Sequence, residues 1–310
     1  MEDYSSAELK AYVQVRGGVV CLDLRRKGLS RVPDAVTELT EVQELKLDYN
    51  NLTELLTSIN KLKNLIRLDL FGNRLRKLPS EIGDLKELRR LDVSINQLVS
   101  LPTSIQKLNQ LKELYLNENK LTELPSEIGD LKELRRLDVS LNQLVSLPTS
   151  IQKLNQLKEL YLNDNKLTEL PSEISDLKGL RRLNVSINQL VSLPTSIQKL
   201  NQLKELDLND NKLTELPSEI GDLKELRWLD VSHNQLVSLP TSIQKLNQLK
   251  ELYLTGNKLT ELPSEIGDLK KLRRLDVSGN PLSMDAIQLL EMKKKGMTSL
   301  VITGGCGNNF

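Results

Sequence analysis

Aromatic side chains make up only 3% of this 310-residue chain, too few to fill a core of the usual globular kind, so another residue must fill the interior. Cysteine is almost as scarce. Cys21 and Cys306 stand near opposite ends, which excludes a disulfide framework and points to ordinary thiols of a reducing compartment. His233 is the one histidine. No apolar run approaches the roughly 18 residues that cross a bilayer, and residues 1–16 lack the charged-then-apolar layout of a secretory leader. A cytoplasmic chain is therefore expected. Charge of one sign is missing too: 43 Lys and Arg face 42 Asp and Glu. Such balance gives no field that would draw the chain to nucleic acid or an anionic membrane.

What the chain does have is leucine in strict register. Asparagine recurs every 23 residues from Asn50 and Asn73 through Asn165 to Asn280, and Lys27 holds the same phase in the first unit. Around each asparagine runs L-x-x-L-x-L-x-x-N-x-L, as in Leu88 to Leu98, followed by L-P-x-x-I-x-x-L. In L-x-L the alternating leucines point inward from a short strand, and a parallel stack pairs every backbone group except at its two ends. The asparagine amide can then satisfy turn backbone that would otherwise be buried unpaired. Pro33, Pro79 and their successors to Pro263 start the returning arm, with Leu56 in that place once; fixed φ and a missing N–H suit a short helical turn there.

This pattern resembles the leucine-rich-repeat family over about residues 19–282. The L-P-x-x-I form is that of intracellular Ras-pathway scaffolds, Roco repeat arms and bacterial expansions such as those of Leptospira. The resemblance implies an α/β, right-handed solenoid of about twelve repeats, with a parallel concave β-sheet and 3-10 or irregular helical turns on the convex side. It also implies protein binding, without naming a partner. One domain with two caps is expected. Residues 1–18 form the N-terminal cap, with a short helix near Ala7 to Val15. Residues 283–310 form the C-terminal cap: a helix from Met284 to Lys295 capped by Ser283 and stopped by Gly296, an edge strand from Ser299 to Thr303, and a loose glycine-rich tail.

A second period of 46 residues lies over the first. The blocks starting at Ser80, Ser126, Ser172 and Ser218 differ at only eight of 46 positions, and six of those eight are expected on the concave face. A framework held constant while one face varies suits a binding surface. All six aromatics inside the repeats, Tyr49, Phe71, Tyr115, Tyr161, Trp228 and Tyr253, fall on that face, as rings used for protein recognition would. The C-terminal half departs most from its own repeat. Trp228 replaces an arginine of the alternating Arg/Glu column, which should leave Glu205 and Glu251 without their usual partner. Asp230 and His233 share its strand and turn, Tyr253 and Thr255 follow on the next, Gly256 clears space, and Asp207 removes a tyrosine.

Other chemistries fail on spacing. Glu118, Asp164 and Asp210 recur on every second strand, about 9 to 10 Å apart, whereas calcium needs several oxygens within ~2.6 Å. His233 has no serine or cysteine placed to make a nucleophile pair. The expectation is a monomeric, non-enzymatic protein-binding scaffold or adaptor with no cofactor, no metal, no nucleic acid and no membrane. Two other readings stay open: the target-selecting repeats of a secreted bacterial effector, and an artificial or recombined array without a selected ligand.

Overall fold

The computed structural model describes residues 4–288 and 301–303. The chain divides into two compact units, Met1–Leu157 and Lys158–Phe310. In the first, a helix α1 (Ser6–Lys10) precedes β1 (Val13–Arg16) and β2 (Val19–Asp23). Then come β3 (Glu44–Lys46), β4 (Arg67–Asp69), β5 (Arg90–Asp92), β6 (Glu113–Tyr115) and β7 (Arg136–Asp138). In the second run β8 (Glu159–Tyr161), β9 (Arg182–Asn184), β10 (Glu205–Asp207), β11 (Trp228–Asp230), β12 (Glu251–Tyr253), β13 (Arg274–Asp276) and β14 (Val301–Thr303). Within each unit β2 to β7, and β8 to β14, pair parallel in chain order. The register is fixed by leucine: Leu91 faces Leu114, and Leu206 faces Leu229.

The inward side of the sheet and the returning arm share one leucine core. Leu91, Leu114, Leu206 and Leu229 have no exposed surface, nor do Ile105 and Ile220 on the arms. Each such side chain stabilises the fold by roughly 1.5 to 3 kcal/mol. The arms are five-residue 3-10 helices, such as Ser80–Asp84 and Ser218–Asp222, each preceded by proline at a φ near −65°, for example −69° at Pro79 and −64° at Pro217. Leu56 takes the same backbone, φ −62°. Leucine can adopt what proline imposes, which is why one repeat manages without it.

The turn asparagines do what their chemistry requires. Asn211 accepts the Leu190 N–H at 2.9 Å on Oδ1, and its Nδ2 donates to the carbonyls of Val185, Leu208 and Asn209 at 3.0, 3.1 and 3.3 Å. The residue before each asparagine lies in the left-handed region: Ile95, Glu118, Ile187, Asp210 and His233 have φ between 51° and 56°. For an L residue this costs roughly 1 to 2 kcal/mol. Two of the six variable columns are this one, and Gly256, at φ 67°, is the one substitution in them that relieves the strain.

The first cap differs from expectation. The helix expected to reach Val15 ends at Lys10, held at its start by a capping box in which Ser5 and Glu8 bond reciprocally. Val13–Arg16 is instead an antiparallel strand on β2, joined through Gly17 and Gly18 at φ 58° and 82°. Two left-handed residues in a row make the tight hairpin turn that only paired glycines enter freely, and alternating Val13 and Val15 favour the strand. At the other end residues 284–288 are helical, Ser283 Oγ accepts the Ala286 N–H, and β14 closes on β13. The rest of the expected helix with Gly296, the tail and Cys306 fall outside the described residues.

Candidate protein-binding face

On the outward sheet face of each unit the side chains between the leucines form columns along the stack. In the first unit these columns are largely self-satisfied. Arg90 reaches Glu113 at 2.6 Å and Asp92 at 3.2 Å, and its guanidinium lies 4.3 Å over the Tyr115 ring, with Arg136 at 5.2 Å from the same ring. Tyr115 is thus held between two cations, and its hydroxyl donates to Glu113. Tyr49 and Phe71 pair edge to face at 5.1 Å, with Arg26 4.7 Å over Tyr49. Gly72 permits this: a Cβ there would stand 3.1 Å from the Tyr49 ring.

The second unit breaks its own pattern. Trp228 and Tyr253 meet at 5.8 Å and 51°, and Gly256 leaves room for His233, whose Nδ1 would lie 2.7 Å from any Cβ at that position. The His233 N–H bonds the Thr255 carbonyl at 2.6 Å. The structure therefore brings Trp228 next to Tyr253, and His233 against Thr255 and Gly256. Tyr161 stands apart, its hydroxyl donating to Glu159 and accepting from Arg182. Between Tyr161 and Trp228 opens a basin of about 410 Å³ floored by Asn184 and Asp207. Asp207 and Asp230 are in register across β10 and β11.

One expectation is corrected. Losing the arginine at Trp228 does not strand Glu205, because a ladder residue has two sides. Glu251 does lose its arginine and makes no ion pair among the described residues, keeping only the tyrosine bond that Glu113 and Glu159 also have. Glu205 keeps Arg182, which donates to both its oxygens, at 2.8 Å from Nη2 to Oε1. Glu251 accepts the Tyr253 hydroxyl at 2.6 Å. Asp230 accepts only the Ser232 N–H and makes no ion pair among the described residues; Asp92 has Arg90, whereas Asp276 makes none although Arg274 shares its strand.

A sequence model of a leucine-rich repeat region matches residues 105–188 and 195–294, more than half of the chain, and a model of a single leucine rich repeat matches residues 64–85. The chain belongs to the leucine-rich-repeat family. This leucine-rich-repeat protein is similar to one from Leptospira interrogans, at 32% identity over 97% of this chain and 98% of that one, with a TM-score of 0.57. It shares its fold with an internalin (inlF) of Listeria monocytogenes, at 22% identity, 97% and 83% coverage and a TM-score of 0.79. The plant peptide hormone receptor RGFR1, solved in complex with RGF2, aligns at 28% identity over 95% of this chain and 52% of that one, TM-score 0.73. No curated protein matches.

In this leucine-rich-repeat protein Asp207 carries an electrostatic cost. Burial, with Asp230 beside it, pushes its carboxyl up to about 6, against the Asn209 N–H that favours the charge. Asn184 on the other side is neutral where the equivalent positions hold Asp92, Asp138 and Asp230, so a third carboxylate in the row is avoided. The linkage follows. Between about pH 4 and 6 the folded Asp207 holds a proton that the unfolded chain has released, so stability falls as pH rises through that window and stays lower above it. Asp207→Asn should therefore raise the melting temperature at pH 7.5 and leave it unchanged at pH 3.5; the same gain at both would remove burial of charge as the cause.

Sequence reasoning missed a second basin, about 650 Å³, in the first unit, lined among others by Tyr12, Arg25, Asp48, Asp69 and Phe71. Asp48 there is pushed up to about 6 by burial and by Asp69. The available signal was Asp48 itself, standing in the column that carries Ser94 and Asn117 later. Among the described residues no group of three or more His, Cys, Asp or Glu could hold a metal ion, and no helix is long and apolar enough to cross a membrane.

Proposed function

We propose that this chain is a monomeric, non-enzymatic scaffold that binds another protein through the outward sheet face of its second unit, with Trp228 as anchor. The observation that carries this reading is the Trp228 and Tyr253 ring pair on an open face, beside the basin that Trp228 lines. Large rings flanked by a polar rim are the parts from which protein-docking sites draw most of their energy. The family supports it, since leucine-rich repeats are typically protein-interaction modules, and the similar RGFR1 is solved with RGF2 bound. We extend the reading to the cytoplasm, which suits the buried free thiol of Cys21.

Affinity capture from the source cell, followed by calorimetry on the captured partner, tests it. Trp228→Ala should weaken binding by roughly 2 kcal/mol or more. Tyr115→Ala should cost less, because its ring is already engaged by Arg90 and Arg136. Binding that survives Trp228→Ala and disappears with Tyr115→Ala or Phe71→Ala would move the site to the first unit.

A further inference from the structure

We propose that the basin between Tyr161 and Trp228 receives an arginine side chain of the partner protein, stacked on the Trp228 indole and paired with Asp207. This rests on the reading of the face as protein-binding and adds the chemistry it selects.

Elsewhere on this face the chain supplies its own cations. Arg90 serves Asp92 and lies over Tyr115, Arg67 holds Asp69 at 2.7 Å, and Arg274 lies 5.1 Å over Tyr253. At β10 and β11 that provision stops. Trp228 occupies the place of the arginine, and no cation lies over the indole or pairs with Asp230 among the described residues. Asp207 adds a carboxylate where Tyr115, Tyr161 and Tyr253 put a ring. It accepts only the Asn209 N–H, at 3.1 Å, and makes no ion pair among the described residues. The floor is thus short of donors, which a guanidinium carries in a planar fork suited to a carboxylate, with a face suited to an aromatic ring.

The cations that line the basin do not fill this need. Arg182 is committed to Glu205 through two bonds, and Arg227 and Lys250 lie at the strand-entry end. An anionic ligand would meet those two residues but would also face Asp207 unpaired and the carboxylates of Glu205 and Glu251, so charge complementarity favours a cation. Asn184 fits the same logic. It neutralises the neighbour of Asp207 while leaving the carboxylate itself in place.

Trp228 is the chain's one tryptophan, so its emission reports this basin directly. The probe is the blocked peptide acetyl-Gly-Arg-Gly-Arg-Gly-amide, titrated against the full chain, with its glutamate counterpart in parallel. The arginine peptide should change the emission saturably and the glutamate peptide should not. Asp207→Asn should raise the apparent Kd about tenfold, in line with loss of a charge-assisted pair. Asp207→Tyr, which restores the residue of the other strands, should abolish saturation while the melting curve shows a folded protein. Equal affinity for the two peptides, or an unchanged Kd in Asp207→Asn, would overturn the proposal. Partner capture that depends on Trp228 in a protein that gives no saturation with the arginine peptide would also overturn it, leaving the binding face intact.

Discussion

Asn211→Ala should lower stability by on the order of 3 kcal/mol, because leaving a single buried donor unpaired already costs about 1 to 3 kcal/mol. Four backbone groups depend on that one side chain: the Leu190 N–H and the carbonyls of Val185, Leu208 and Asn209. They belong to two successive turns and the strand before them, so the amide fastens one repeat to the next. Asn211 is buried, with 7% of its surface exposed, and water cannot replace it. Asn280 makes the same bonds at the last repeat but is only half-buried. Asn280→Ala should therefore cost about 1 kcal/mol, the net worth of a bond that water can replace. Chemical denaturation of the two variants beside the parent checks this. Equal losses would mean that burial does not set the price of these amides.

Gly221→Val should be nearly as damaging, by about 1 to 3 kcal/mol, the usual cost of forcing atoms into a filled space. A Cβ at Gly221 would stand 2.2 Å from the Ser242 carbonyl oxygen of the next arm, and Gly129 is in the same position against Ser150. These contacts are with backbone, which cannot swing aside. One repeat shows how a small side chain is absorbed. Ser175 stands at the equivalent place and donates its hydroxyl to the Ser172 carbonyl at 2.6 Å. The neighbouring Ser196 bond to that carbonyl is 3.2 Å, against 2.6 Å for Ser242 to Ser218. Gly221→Ser should thus lose less than Gly221→Val. Denaturation midpoints that place the two variants together would show that the arms are free to separate.

The repeats were legible because their physics is local and repeated: each L-x-L, asparagine and proline occurs about a dozen times, so one reading is checked by all the others. The N-terminal hairpin was not legible, since it occurs once and Val13 to Arg16 fits the end of a helix as well as a strand until Gly17 and Gly18 are recognised as a turn. The left-handed column was hidden for a different reason. Ile95 and Ile187 are residues that sequence rules keep out of that backbone, and only the asparagine network of the stack holds them there. At the candidate site the departures Trp228, Asp207 and Gly256 could be read in the chain. Which residue each one left unpaired could not, because every ladder residue has a neighbour on both sides. The choice of Glu205 for Arg182 and of Glu251 for Tyr253 is made by geometry.

The alternation of arginine and glutamate on successive strands has a consequence for heredity. Glu205 lies between Arg182 and Trp228, and Glu113 between Arg90 and Arg136. Losing or gaining 46 residues within the repeated blocks keeps the alternation of the column as it is and returns each glycine of one arm to the serine of the next. Losing or gaining 23 would set like charges side by side along the sheet, as Arg67 and Arg90 already stand, and would face the glycine of one arm with the glutamate of the next. Unequal crossing-over between near-identical blocks would therefore yield viable offspring in steps of two strands, so lineages of such arrays should differ in length by even numbers of repeats.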